Sequence, residues 1–128
     1  ETTYWPKLCL IQAATADFDV LVDPLAPGMD LSPLLSLIAD RSRVKVFHAA
    51  RQDLEIFTRL LGAPPGPIFD TQIAAMAAGL GDSSSYENIV MRLLKAQVDK
   101  SSQFTDWVRR PLSAKQLAYA RGDVTHLR

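Results

Sequence analysis

Apolar residues first cluster in two short, β-rich runs, Leu8 to Ala14 and Phe18 to Val22, separated by the polar stretch Thr15-Ala16-Asp17. Two such runs joined by a short polar turn predict an antiparallel hairpin, ended by Pro24, Pro27 and Gly28. The period then changes. Leu34, Leu35 and Ile38 recur at helical spacing within Leu31 to Ala39, and Val44 to Phe47 predicts a short buried strand. Arg51 to Leu61 predicts a helix stopped by Gly62 and the Pro64-Pro65-Gly66-Pro67 turn. Ile68-Phe69-Asp70 leads from there into an alanine-rich stretch ending at Gly79.

Past the polar loop Gly81 to Ser85, Tyr86 to Lys95 predicts another helix, and Val98 to Arg110 an irregular, basic connection containing Phe104 and Trp107. The last helix has a marked start, because Ser113 with Gln116 three residues on forms a capping box just after Pro111. Its pattern extends the prediction through at least Leu127. Two β-like strands therefore precede a β-to-α alternation, without an internal repeat.

A length of 128 residues, 48% of them apolar, fits one compact domain and leaves no room for a second. The chain starts at Glu1 and runs almost at once into a strand-like pattern, so it reads as a fragment truncated at its N-terminus and at its C-terminus. Cys9 is the sole cysteine, which excludes an internal disulfide framework and a thiolate zinc site. With no apolar run near the roughly 18 residues that span a bilayer, the expectation is a soluble, cytoplasmic protein without a membrane partner. A net charge of zero hides an asymmetry: residues 95–128 carry +4 and residues 1–94 carry −4. A basic end of that kind can steer a polyanion, and it is equally the signature of a solvated surface.

Tyr119 and Asp123 lie in the basic end, four residues apart and so on one side of the last helix, at the edge of the stripe Leu117, Ala120, Val124 and Leu127. Asp53 falls near the middle of an apolar helical face with Ile56, Phe57, Leu60 and Leu61, where an unpaired carboxylate is costly. It is either a first-turn acid satisfied by the helix dipole or a carboxylate aimed at a cation. Asp70 reads as an N-cap, a supporting group rather than a ligand. His48 reads as a satisfied core or cleft-edge histidine or, with Lys100, Trp107 and Arg110, as a substrate contact. Phe104 and Trp107 are open to two readings, core anchors or base-stacking groups. His126 suits a helix C-terminus, and Gly122 leaves room for substrate or for a neighbouring element. Neither a paired-histidine zinc spacing, nor a glycine-rich phosphate loop, nor a Gly-x-Ser-x-Gly elbow occurs, so oxygen-ligand metal chemistry remains.

Tyr4-Trp5-Pro6-Lys7-Leu8-Cys9-Leu10-Ile11-Gln12, His48-Ala49-Ala50-Arg51-Gln52-Asp53-Leu54, Asp70-Thr71-Gln72, Asp99-Lys100-Ser101, Thr105-Asp106-Trp107, Arg110-Pro111-Leu112 and Tyr119-x-x-x-Asp123-Val124 follow one another in an order that resembles the ribonuclease D family. The resemblance covers nearly the whole chain. It implies an α/β, ribonuclease H-like mixed sheet flanked by helices, in which the first, central strand is missing from this chain. It also implies a tyrosine-type DEDD 3′-5′ exonuclease domain, with no HRDC-type domain following. Such a domain removes nucleotides from single-stranded RNA 3′ ends, as in maturation of tRNA and other structured RNA, using two divalent ions, Mg²⁺ or Mn²⁺.

On this resemblance Asp123 is a metal ligand, Asp53 helps hold the second ion through water, and Tyr119 positions the attacking water. The family's first motif, Asp-x-Glu, would lie just before Glu1, so these 128 residues alone are expected to be inactive and to leave sheet edges unpaired. Two other readings stand beside the exoribonuclease: a noncatalytic nucleic-acid-binding or scaffold domain, and a DNA 3′-5′ exonuclease of the same superfamily.

Overall fold

The computed structural model describes residues 6–99 and 101–127, in which strands and helices follow the order the hydrophobic pattern predicts. β1 (Ile11–Ala14) and β2 (Asp19–Val22) pair antiparallel, with Ile11 opposite Val22 and Ala14 opposite Asp19. Thr15 closes the turn: its N–H donates to the Phe18 carbonyl at 2.8 Å, and its Oγ1 accepts from the N–H of Asp17 and of Phe18. The ladder begins three residues later than the apolar run from Leu8 suggests. Past Val22 the chain turns at Asp23-Pro24 and β2 offers no further partner. The Cys9 carbonyl accepts instead from Arg110 Nη2 at 2.7 Å.

α1 (Ser32–Ala39) follows the hairpin. β3 (Lys45–Phe47) and β4 (Ile68–Asp70) then pair in parallel, joined through α2 (Arg51–Leu61), as parallel strands require. α2 stops where the sequence indicates, at Gly62, whose φ of 74° is the left-handed conformation that glycine adopts without a Cβ clash. α3 (Thr71–Ala77), α4 (Tyr86–Leu94) and α5 (Ala114–Thr125) complete the described elements. Among the described residues the two ladders remain separate two-stranded sheets, one antiparallel and one parallel.

Ile11, Ile38 and Phe57 form the buried centre, enclosed by Leu8, Val22, Leu31, Leu34, Leu35, Phe47 and Leu61. Phe47 meets Phe57 edge to face, with ring centroids 6.3 Å apart. Each such buried side chain contributes about 1.5–3 kcal/mol, so this cluster binds hairpin, α1 and α2 into one unit. β3 is not the buried strand its composition predicts: Val44 is 62% exposed and Val46 39%. Its ladder runs on one edge only, and the described residues provide no cover for the valine side.

Long-range contacts place α5, among them the Arg121–Asp19 ion pair to β2 at 3.2 Å. Arg110, just before α5, grips Asp23 with Nε at 2.7 Å and Nη2 at 2.6 Å, and donates from Nη1 to the Trp107 and Arg109 carbonyls. The capping box at Ser113 and Gln116 then starts the helix. α5 ends at Thr125 rather than continuing to Leu127: the Leu127 N–H turns back to the Val124 carbonyl at 3.2 Å, and the Tyr86 hydroxyl lies 3.1 Å from both the Gly122 carbonyl and the His126 N–H.

Candidate active site

Asp70 organises the start of α2, the helix that carries Asp53. As N-cap of α3 it accepts from Gln72 N–H at 2.8 Å, and the same carboxylate accepts from Ala49 and Ala50 N–H at 3.0 and 2.8 Å, at the start of α2. One side chain thus satisfies free N–H groups of two helices. Ala49 is held at a φ of 53°, a conformation a non-glycine residue adopts only when its surroundings impose it. Burial pushes the Asp70 pKa up, but these backbone donors outweigh burial and leave it lowered. The N-cap reading of Asp70 matches this geometry.

Asp53 stands in the first turn of α2 beyond that braced start. Its side chain is exposed, although four-residue spacing puts it on the same side of α2 as Phe57, which is buried one turn later. Crowding by protein, followed by the Asp70 charge, raises its pKa. Asp53 makes no capping bond at the helix start, where Asp70 already serves that purpose. His48 follows β3, and its Nδ1 lies 2.9 Å from Thr71 Oγ1, which itself donates to the Phe47 carbonyl at 3.1 Å. Thr71 therefore accepts the Nδ1 proton, leaving Nε2 as the acceptor of the neutral ring. Burial lowers the His48 pKa against the opposing Asp70 charge, which favours that neutral form.

α5 brings Tyr119 and Asp123 together as their spacing predicts. Burial raises the Asp123 pKa to about 6, while a hydrogen bond from the Tyr119 hydroxyl opposes the rise. Tyr119 is raised in turn, by burial first and then by Asp123. The Trp107 ring packs against Tyr119 at 5.9 Å, tilted by 47°, so the half-buried Trp107 orients the phenol. Phe104 is 94% exposed and anchors no core.

Arg110, a candidate substrate contact, is drawn away from the acids: all its nitrogens hold Asp23 or backbone carbonyls. Lys100 lies outside the described residues. A Cβ on Gly122 would meet only Val98 Cγ1 at 4.0 Å, so no close neighbour demands glycine there. The residue that sequence reasoning missed is Tyr86. Its ring lies 5.7 Å from that of His48, and the Asp123 charge helps raise its pKa, after burial. Nothing in the local pattern around Tyr86 separates it from any aromatic on an inward helical face.

Hard oxygen donors of this kind suit Mg²⁺ or Mn²⁺, and among the described residues no cation lowers the raised Asp53 and Asp123. Their number is partial: among the described residues no group of three or more His, Cys, Asp or Glu side chains is placed to hold a metal ion. Such an ion takes about six oxygens, so substrate, water or further carboxylates must supply the balance.

A β-α frame that carries Asp53 on α2 and a phenol beside Asp123 on α5 defines an α/β domain with oxygen donors suited to hard cations. All of residues 1–128 match the family model described as 3′-5′ exonuclease, and the chain belongs to that family. It is 59% identical to ribonuclease D of Gluconacetobacter diazotrophicus and 57% identical to that of Bartonella henselae, in each case over all of this chain. The chain spans about a third of the length of these curated relatives, 33% and 32%. Among solved structures, Escherichia coli RNase D, an exoribonuclease involved in structured RNA processing, superposes with a TM-score of 0.87 at 41% identity, covering 95% of this chain and 32% of that one. Brucella melitensis NrnC with bound Mg²⁺ gives 0.80 at 31% identity, covering 94% and 59%. The resemblance to ribonuclease D and the ribonuclease H-like fold it implies are both found.

Proposed function

We propose that this chain is the catalytic part of a 3′-5′ exoribonuclease that shortens single-stranded RNA 3′ ends, such as those of tRNA precursors, in the cytoplasm. The observation that carries this reading is the Tyr119-Asp123 pair on α5, a carboxylate with its pKa raised to about 6 beside a phenol braced by Trp107. Asp123 would hold one divalent ion directly and Asp53 would help hold a second through water. Bound Mg²⁺ or Mn²⁺ supplies charge neutralisation and an activated water for phosphodiester hydrolysis. Tyr119 would orient that water, with its own proton kept in place by the hydrogen bond to Asp123. His48, neutral and with Nε2 as its acceptor, suits a sugar hydroxyl, and the exposed Phe104 suits a stacked base further along the strand. Lys100 would meet phosphate. The solved Brucella melitensis NrnC structures, one bound to pGG and one with bound Mg²⁺, support a nucleotide substrate and a divalent ion for this chain.

The partial donor set among the described residues favours a second reading for this stretch in isolation, a nucleic-acid-binding domain without hydrolysis. Digestion of 3′-hydroxyl RNA and DNA oligonucleotides by the full-length protein, with Mg²⁺ or Mn²⁺ and with chelator, separates these readings. Stepwise, metal-dependent loss of 3′ nucleotides from RNA, abolished in Asp123→Asn, is the expected result. Binding without hydrolysis would establish the second reading, and preference for DNA would reassign the substrate.

A further inference from the structure

We infer that Tyr86 is a positioning residue for Asp123: its hydroxyl, spliced into the last turn of α5, sets the direction from which Asp123 projects. In an uninterrupted helix the His126 N–H would donate to the Gly122 carbonyl four residues earlier. Here the Tyr86 Oη donates to the Gly122 carbonyl at 3.1 Å and accepts from the His126 N–H at 3.1 Å. A phenol is suited to this position because one hydroxyl offers both a donor and an acceptor. Insertion of a side chain into the helical ladder is a recognised cause of a bend, and the two backbone groups involved flank Asp123 in sequence.

The other side of Tyr86 ties the same turn to His48, at the end of β3. Its ring packs on His48 at 5.7 Å with an interplanar angle of 59°. His48 is fixed through Thr71 to the Phe47 carbonyl at the end of β3, and Asp70, next to Thr71, braces the start of α2 that carries Asp53. Tyr86 itself stands at the first position of α4, where Ser85 caps the helix through the Asn88 N–H. A continuous set of contacts therefore runs from the strand that precedes α2 to the turn that presents Asp123, with the Tyr86 side chain as the link between the two halves. Removing the hydroxyl lets Gly122 and His126 rejoin directly or leaves both groups without this partner. In either case the last turn of α5 changes direction.

This inference rests on the exonuclease reading of Asp123. Its test compares wild type, Tyr86→Phe and Val90→Ala in the full-length protein, measuring kcat, KM and the Mg²⁺ dependence of RNA 3′ trimming together with thermal stability. Val90 is 2% exposed on the same helix, so its truncation is a control for loss of stability alone. Tyr86→Phe keeps the ring against His48 and is expected to lower kcat roughly ten- to a hundredfold, with KM for RNA within about twofold and half-saturating Mg²⁺ shifted upward. Val90→Ala is expected to lower the melting temperature while leaving kcat per folded molecule unchanged. Wild-type kcat and Mg²⁺ dependence in Tyr86→Phe would overturn the positioning role while leaving the exonuclease reading intact. An equal kcat loss in Val90→Ala would do the same, by assigning the effect to stability. A wild-type protein without RNA hydrolysis would overturn the exonuclease reading and this inference with it.

Discussion

Two carboxylates on opposite sides of α5's approach face opposite circumstances. Asp23 receives a two-pronged grip from Arg110, and that hydrogen bonding holds its pKa below the usual carboxylate value despite burial. Asp123 has a phenol as its hydrogen-bonding neighbour and is pushed up to about 6 by burial. A satisfied charge fixes the chain, here by tying the hairpin to the segment that launches α5. A charge held against its preference is available to bind something else. The contrast separates structure from function more sharply than residue type does, since both groups are aspartates half shielded from water.

Removing the strained member of this comparison has the largest expected effect. Asp123→Asn should lower hydrolysis by roughly a thousandfold or more while raising thermal stability. The sign follows from the raised pKa: between about 3.8 and 6 the folded state binds the proton more tightly than the unfolded chain, so stability falls as pH rises through that window. Above it the ionised group costs the fold on the order of 1 kcal/mol, once screening by solvent at this partly exposed side chain is allowed for. A calorimetric scan at neutral pH showing a lower melting temperature in Asp123→Asn would contradict this.

Breaking the satisfied pair should do the reverse. Arg110→Ala leaves Asp23 and the Cys9 carbonyl without their donor and is expected to cost about 2–3 kcal/mol in urea unfolding, with kcat per folded molecule unchanged. A raised KM for RNA at undiminished stability would instead return Arg110 to the substrate site. The smallest effect lies in acid. Because the Asp23 pKa is lowered, its contribution is complete above the unfolded value near 3.8 and is lost as pH falls through the folded one. Acid unfolding below about pH 4 should therefore be steeper in wild type than in Arg110→Ala.

The elements visible in the sequence are those set by neighbours along the chain. α2 runs from Arg51 to Leu61 as its spacing and Gly62 indicate, and Ser113 with Gln116 caps α5 where the sequence says it should. Asp70 was legible as an N-cap, and Tyr119 with Asp123 as a pair, for the same local reason. What stayed hidden depends on distant partners. Arg110 looks like a phosphate contact until Asp23, 87 positions away, occupies it. The hydrogen bond to the last turn of α5 comes from Tyr86, 36 positions before Gly122. The exposure of Val44, Val46 and Phe104 likewise depends on which layers cover them, and apolar periodicity does not specify a covering layer.

The central claim is that Asp123 is held in an unfavourable ionisation environment that a divalent cation relieves. Carboxyl-carbon NMR titration of the full-length protein, with aspartate labelled and Asp123 assigned by comparison with Asp123→Asn, measures this directly. Without metal the Asp123 midpoint should lie near 6, and saturating Mg²⁺ should bring it below the ordinary value of 3.8. A midpoint already near 3.8 without metal, or one that Mg²⁺ leaves unmoved, would contradict the account.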